Sequence, residues 1–433
     1  MATTTTKLAA SQSLEQSMST NILDIPPKQA CAPGQMQQNL VERGKKVLMQ
    51  TYATSPIVLD QGKGSYVQDV DGKQYLDFAS GIAVSALGHC HSAYVKALSH
   101  QLQKLSHCSN LYYNQPAIEL AEKLVDKSAL DRAFFCNSGA EAIEAALKLS
   151  RKYAKVHKGE HCTTILSMSN SFHGRTYGAL SATAQTKYQQ GYHPLVPDFQ
   201  TVAFNDFDAI LSLDLETVAA IIIEPVQGEG GVHPVDINFL QQVRHLCTAQ
   251  KIVLVFDEIQ CGAGRMGTFF AYEKFGVVPD IVAMAKGLGG GFPIGAILAS
   301  EDVAAAFTPG DHGSTFGGNP LAASAALACL ETIGQDQFLA GVVSKSTLLT
   351  DALLSLQSKN LGVKAVRGHG LMLGVELTTA VKPVIQKCAE LGLLLVGAGE
   401  TVIRMLPPLT VTENEITAAV GILEAALKEK QEG

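Results

Sequence analysis

A chain of 433 residues, 46% hydrophobic and 17% charged, is long enough for a large α/β domain plus a smaller one, and its net charge of -7 with no basic block excludes the electrostatic footprint of a nucleic-acid binder. No apolar run approaches the roughly 20 residues that span a bilayer, so a soluble protein with no membrane partner is expected. Nine cysteines, odd in number and without C-x-x-C pairs, fit a reducing compartment better than a secreted disulfide framework.

Residues 1–40 are rich in Ser, Thr, Ala and Gln and lack apolar periodicity, which predicts a disordered tail. Scarce acids and many hydroxyls also fit a targeting leader, yet no arginine precedes Arg43, so mitochondrion, plastid and cytoplasm all stay open. In residues 58–78, Asp71-Gly72 lies between two half-apolar runs and predicts a hairpin. Residues 80–90 read as loop, and 92–105 as a helix. Adjacent side chains diverge at His89-Cys90-His91 and no second ligand cluster follows, so no metal is expected. Tyr112 and Tyr113 interrupt the helices on a loop; packing is the favoured reading, pocket lining the alternative.

Residues 133–136 form a short strand running into Asn137-Ser138-Gly139-Ala140, followed by a helix from Glu141 to about Tyr153. Strand, polar turn and helix start aim free amides and the positive dipole end at an anion, typically phosphate; Ser138 as a plain N-cap explains the same residues. The strand 163–168 leads to Ser171-Phe-His-Gly-Arg-Thr176, where Phe172 could stack on a planar ring and Arg175 clamp a carboxylate. The buried strand 218–223 closes on Glu224-Pro225. In the glycine-rich loop beyond it, Glu229 is either a pocket acid or a solvated charge.

Residues 252–286 hold two apolar runs, one ending in Asp257 and the other in Lys286. Buried parallel strands read as such runs, and ligands sit at their carboxyl ends. A lysine there is desolvated toward the neutral amine that attacks a carbonyl, and an aspartate on the neighbouring strand suits the pyridinium nitrogen of pyridoxal phosphate. Ser138, Gly139 and Ala140 would then cradle the phosphate. A dinucleotide loop at Gly262-Ala-Gly264-Arg-Met-Gly267 is disfavoured, because residues 257–261 separate it from the strand and Asp280 begins the next strand rather than ending it.

After residue 320, helices alternate with short strands at 370–377, 393–396 and 402–405, and Thr412-x-x-Glu415 forms a capping box before a final helix with Ile416, Val420, Leu423 and Leu427 on one face. The fold class is therefore α/β. A large domain (91–320) has a mostly parallel central sheet, and a smaller α+β domain is built from both chain ends (41–90 and 321–433).

The motifs YLDFASGIAVSALGHCH (75–91), SNLYY (109–113), SFHGRT (171–176), EPVQGEGG (224–231), HGSTFGGNPLA (312–322) and the stretch 254–292 resemble the class III (fold type I) pyridoxal-phosphate-dependent aminotransferases. The resemblance covers nearly the whole chain after about Val41 and, with Tyr112 and Tyr113, is strongest to the members that act on N-acetylornithine. It implies transfer of the terminal amino group of N2-acetyl-L-ornithine to 2-oxoglutarate, yielding glutamate, in arginine biosynthesis. Ornithine, succinylornithine and 4-aminobutyrate are alternative donors; an aminomutase or a non-catalytic pyridoxal-phosphate carrier is the alternative from another class.

Carried over by position, the resemblance gives Lys286 the covalent hold on the cofactor and the proton transfer, Asp257 the pyridine nitrogen, and Gln260 the ring hydroxyl. Phe172 and Ile259 enclose the ring. Ser138, Gly139 and Ala140 hold the phosphate with Thr315 from a second subunit, which implies a homodimer with shared active sites. Arg175 takes the donor's carboxylate, Glu229 pairs with Arg404 and releases it when glutamate binds, and Tyr112 and Ser314 complete the substrate contacts. Three residues depart from the family pattern: Met266, Ile143 and Ser92.

Overall fold

The structure, a computed structural model, describes residues 34–432, so most of the predicted tail lies outside the described residues. Its last part is a correction: Gln35–Val47 is a helix. Good helix formers without a buried face give little apolar periodicity to read, and no residue of this helix is buried.

Three short strands follow, β1 (Leu59–Lys63), β2 (Tyr66–Asp69) and β3 (Gln74–Asp77), paired antiparallel in order. The predicted Asp71-Gly72 hairpin joins β2 to β3, with Gly72 at φ 91°. Beyond β3 the expected loop is more specific than its sequence suggests. Ser80, Gly81, Ile82 and Ala83 all have positive φ, 48°, 62°, 63° and 63°, making a left-handed turn. Such a conformation costs roughly 1–2 kcal/mol for each residue with a Cβ. Asp77 holds the turn: its Oδ1 accepts the amides of Ala79 (3.0 Å) and Ser80 (2.8 Å), and its Oδ2 pairs with His89 Nε2 at 2.8 Å.

The large sheet collects β4 (Arg132–Cys136), β5 (Thr164–Met168), β6 (Phe199–Val202), β7 (Val218–Ile223), β10 (Val253–Asp257), β11 (Ile281–Met284) and β12 (Gly295–Ala299). A two-stranded ribbon, β8 (Val226–Gln227) with β9 (His233–Pro234), sits between β7 and β10 in the chain. Spatial order is β4-β12-β11-β10-β7-β5-β6, and only β12 runs antiparallel to its neighbours. Every residue of β5, β7, β10, β11 and β12 is buried, as a helix-covered sheet requires and as the apolar runs of all but β5, which includes Thr164 and Ser167, announce.

The C-terminal part adds β13 (Val363–His369), β14 (Met372–Leu377), β15 (Leu393–Leu394), β16 (Val396–Ala398) and β17 (Val402–Met405). Four of them form an antiparallel sheet in the order β13-β14-β17-β16, while β15 runs parallel to β3 and ties the two chain ends together. The predicted capping box is present: the amide of Glu415 donates to Thr412 Oγ1 (3.3 Å) and the amide of Thr412 to Glu415 Oε2 (2.7 Å). Ile416, Val420, Leu423 and Leu427 are buried on the helix it opens, Glu413–Glu432. Among the described helices, Asp336–Ser358 has the length and apolar content to cross a bilayer, which the reading of the apolar runs did not anticipate. Its Val342, Leu349, Leu353 and Leu356 are buried within the fold.

Candidate active site

A cavity of about 420 Å³ opens at the carboxyl ends of β4, β5, β7, β10 and β11. In the sheet register Asp257, the last residue of β10, lies opposite Ala283 of β11. The chain then leaves β11 through Ala285 and places Lys286 at φ 45°, a left-handed conformation that turns it out of the strand direction. Both residues line the cavity. Burial pushes the Lys286 amine down to about 8, with help from Arg404, while Glu229, Asp257 and Glu224 oppose that drop.

Asp257 is held from two sides. Its Oδ2 pairs with the buried His173 Nδ1 at 2.8 Å, and its Oδ1 accepts the Ile259 amide at 3.0 Å. The neighbouring Glu258 points the other way and receives the amides of Ala271 (2.6 Å) and Tyr272 (2.7 Å), so the two adjacent acids divide into one cavity residue and one structural cap.

At the end of β4, Ser138 does what the plain reading says: its Oγ accepts the Glu141 amide at 3.2 Å and caps the helix Gly139–Lys158. Capping leaves the first-turn amides of Gly139 and Ala140 without an acceptor inside the helix, so the cap is compatible with an anion at this turn. Gly139 is required by contact, because a Cβ there would lie 2.9 Å from side-chain carbons of Ile259. Ile143, where the family pattern is polar, is fully buried in the core behind this turn, and Met266 is buried likewise. Ser92 opens the helix Ser92–Leu102.

Phe172 and Ile259 both line the cavity. Arg175 lines it too, its guanidinium carbon 3.8 Å from the centre of the Tyr188 ring. Behind the cavity residues Gln260 and Glu229, the fully buried Arg404 of β17 donates through Nη1 to Gln260 Oε1 (2.8 Å) and pairs through Nη2 with Glu229 Oε1 (2.7 Å), while its Nε has no partner among the described residues. Glu229 is thus a pocket acid and not a solvated charge. Gln260 joins the site at the same contact.

Four expected residues do not line the cavity: Arg404 touches it through Glu229 and Gln260, and three others stand apart. Ser314 holds loops rather than lining the cavity: its Oγ accepts from Asn137 Nδ2 (3.0 Å) and its carbonyl from Asn110 Nδ2 (2.8 Å). Tyr112 and Thr315 are exposed outside the cavity, and Tyr113 is exposed beside Tyr112, so the packing favoured for these tyrosines does not occur within the described chain. Among the cavity or supporting residues that went unread in the sequence are His173 as the partner of Asp257, Tyr188 under Arg175, Val84 on the cavity wall, and Glu224. The strand-end rule that singled out Asp257 applies equally to Glu224, one residue past β7. Burial drives the Glu224 carboxyl upward, against the pull of His173.

These residues fit pyridoxal phosphate on their own chemistry. An amine shifted toward neutrality, a buried oriented carboxylate, open helix-start amides beside a glycine that admits no side chain, and an apolar pair of walls face one cavity. A sequence model of the family Aminotransferase class-III matches residues 48–427. An acetylornithine aminotransferase of Clostridium acetobutylicum is 51% identical over 385 residues, covering 89% of this chain and 100% of that one. Another, of Methanocaldococcus jannaschii, is 49% identical across 91% of this chain and 99% of its own. Among solved structures, the ornithine aminotransferase of Toxoplasma gondii superposes with a TM-score of 0.88 at 31% identity, covering 92% and 96% of the two chains. The N-acetylornithine aminotransferase of Stenotrophomonas maltophilia gives 0.78 at 37% identity, covering 90% and 99%. The chain belongs to the class III aminotransferases, pyridoxal-phosphate-dependent enzymes of fold type I.

Proposed function

We propose that this aminotransferase moves the terminal amino group of N2-acetyl-L-ornithine to 2-oxoglutarate, a step of arginine biosynthesis, within a homodimer. The observation that carries the pairing of these substrates is the 2.7 Å contact between the buried Arg404 and Glu229, which lines the cavity together with Lys286 and Asp257. An unpaired buried arginine is costly, so Glu229 neutralises Arg404 while the acetylated donor occupies the site. When a five-carbon dicarboxylate arrives, Glu229 yields and Arg404 takes the second carboxylate. One cavity then serves both substrates.

Bound here, pyridoxal phosphate supplies an electron sink and a carrier for the amino group. The chain supplies the rest. Lys286 would hold the cofactor and, once freed, its Nζ would take the proton from the substrate carbon that carries the amino group. Asp257, oriented by His173 and the Ile259 amide, keeps the ring nitrogen protonated. Ser138, Gly139 and Ala140 take the phosphate at the helix start, Phe172 and Ile259 flank the ring, Gln260 meets its hydroxyl, and Arg175 takes the donor's α-carboxylate. Thr315, exposed and away from its own cavity, reaches the phosphate of the partner subunit's site. Tyr112 and Ser314 shape the donor's path at the same subunit boundary.

Identity near 50% to acetylornithine aminotransferases over about nine-tenths of the chain supports the donor; superposition on ornithine aminotransferases at a TM-score of 0.88 favours ornithine as the second reading. The test is glutamate formation from 2-oxoglutarate by cofactor-saturated enzyme with each donor in turn. N-acetylornithine should give the highest kcat/KM. A higher value for ornithine, succinylornithine or 4-aminobutyrate would replace the proposed donor, and turnover without any keto acid would point to an aminomutase.

A further inference from the structure

We propose that Glu224 is a positioning residue that seats both arginines used for substrate carboxylates, Arg175 and Arg404, through two backbone amides; this rests on the roles given to those arginines above. Glu224 lines the cavity yet is only 7% exposed. Its Oε2 accepts the amide of Phe172 at 3.0 Å, and its Oε1 accepts the amide of Gly228 at 3.3 Å. One carboxylate therefore spans two loops that approach the cavity from different strands, β5 and β7.

Each amide leads to an arginine. Phe172 begins the run that carries Arg175, whose guanidinium carbon lies 5.6 Å from the Phe172 ring centre and 3.8 Å from that of Tyr188. Gly228 immediately precedes Glu229, and a Cβ on Gly228 would come within 2.3 Å of Gln260 Oε1, so this backbone is pressed against Gln260. Gln260 and Glu229 are the two side chains that receive Arg404. A shift of Gly228 is thus felt at both acceptors of Arg404, and a shift of Phe172 at the platform beside Arg175. Only a carboxylate of glutamate length offers one acceptor oxygen to each amide: glutamine has a single acceptor, and aspartate is a methylene short.

The chemical consequence falls on ligands that engage both arginines. A five-carbon dicarboxylate needs their spacing held, whereas the reacting centre at Lys286 and Asp257 rests on β10 and β11. The test uses cofactor-loaded wild type, Glu224→Gln and Glu224→Asp, with isothermal titration of glutarate, which has no group to transaminate, and with KM and kcat for 2-oxoglutarate. Both variants should bind glutarate about tenfold more weakly and raise KM for 2-oxoglutarate by a similar factor, a larger change than in kcat, as expected when the spacing of the two arginines is loosened by about 1.4 kcal/mol. Cofactor absorption should match wild type, and the melting temperature should fall by no more than the few degrees that one unpaired buried amide costs. Unchanged glutarate affinity in both variants would overturn the proposal. So would restoration by aspartate of what glutamine loses, which would make charge and not reach the cause, or loss of cofactor or a larger fall in melting temperature in both, which would make Glu224 a structural cap. Wild type that neither binds glutarate nor uses 2-oxoglutarate would instead strike the substrate reading on which the proposal stands.

Discussion

Lys286 carries two demands in one side chain: it must be neutral to form the cofactor link and basic enough to take a proton. Burial brings its amine to about 8, so the neutral fraction rises about tenfold between pH 7 and pH 9. The rate at which cofactor-free protein takes up pyridoxal phosphate should climb by that factor over this range and level off above it, followed by the appearance of visible absorbance; a flat profile would contradict the assigned shift. Lys286→Ala should lose at least about 10²–10⁴-fold in turnover, the range of a positioned acid–base group. For Glu229→Gln, buried Arg404 is left uncompensated while the acetylated donor is bound, so the donor half-reaction should slow about tenfold and the glutamate half-reaction by no more than about threefold. Single-turnover rates with each substrate separate the two; equal losses would remove the switch. At this scale the strand-end acid and lysine were legible in the sequence because burial makes β10 and β11 unbroken apolar runs. His173 was not assignable, since its partner lies 84 residues away and only the fold brings them to 2.8 Å.

Elements were legible in proportion to how strongly one environment dictates them. The hairpin at Asp71-Gly72, the fully buried strands and the Thr412–Glu415 cap each carry a local signal that the fold uses unchanged. The edge strand β6 buries only Val202 and β13 only Val363, so neither shows the run or alternation that marks a strand. The helix Gly139–Lys158 illustrates how an element can be tuned at one residue. Helix propensity alone would favour Gly139→Ala by up to about 1 kcal/mol. The added Cβ, however, must displace Ile259 at 2.9 Å. The variant should therefore keep its urea midpoint while holding pyridoxal phosphate roughly tenfold more weakly, measured by cofactor titration; a drop in both would place the damage in the fold rather than at the cavity.

For the whole molecule, the exposed Leu111, Tyr112, Tyr113, Thr315 and Phe316 lie on loops joined through Asn110 and Ser314, a surface suited to a second copy. If each site combines Lys286 of one subunit with Thr315 of the other, Lys286→Ala and Thr315→Glu homodimers should each be nearly inactive. Remixed after dissociation, they should regain about a quarter of the wild-type sites, because half of the dimers are hybrids with one intact site. No recovery on mixing, with hybrid formation confirmed by mass, would confine the site to one chain. The left-handed turn at 80–83 sets a different kind of boundary. The turn delivers Val84 to the cavity wall, and Arg404 reaches from β17 to the cavity residues Glu229 and Gln260, while the reacting pair belongs to β10 and β11. What the enzyme does and which amino acceptor it uses are thus inherited on separate pieces of the chain. Descent with modification can rewrite β17 to take another acceptor while the reaction itself is passed on intact.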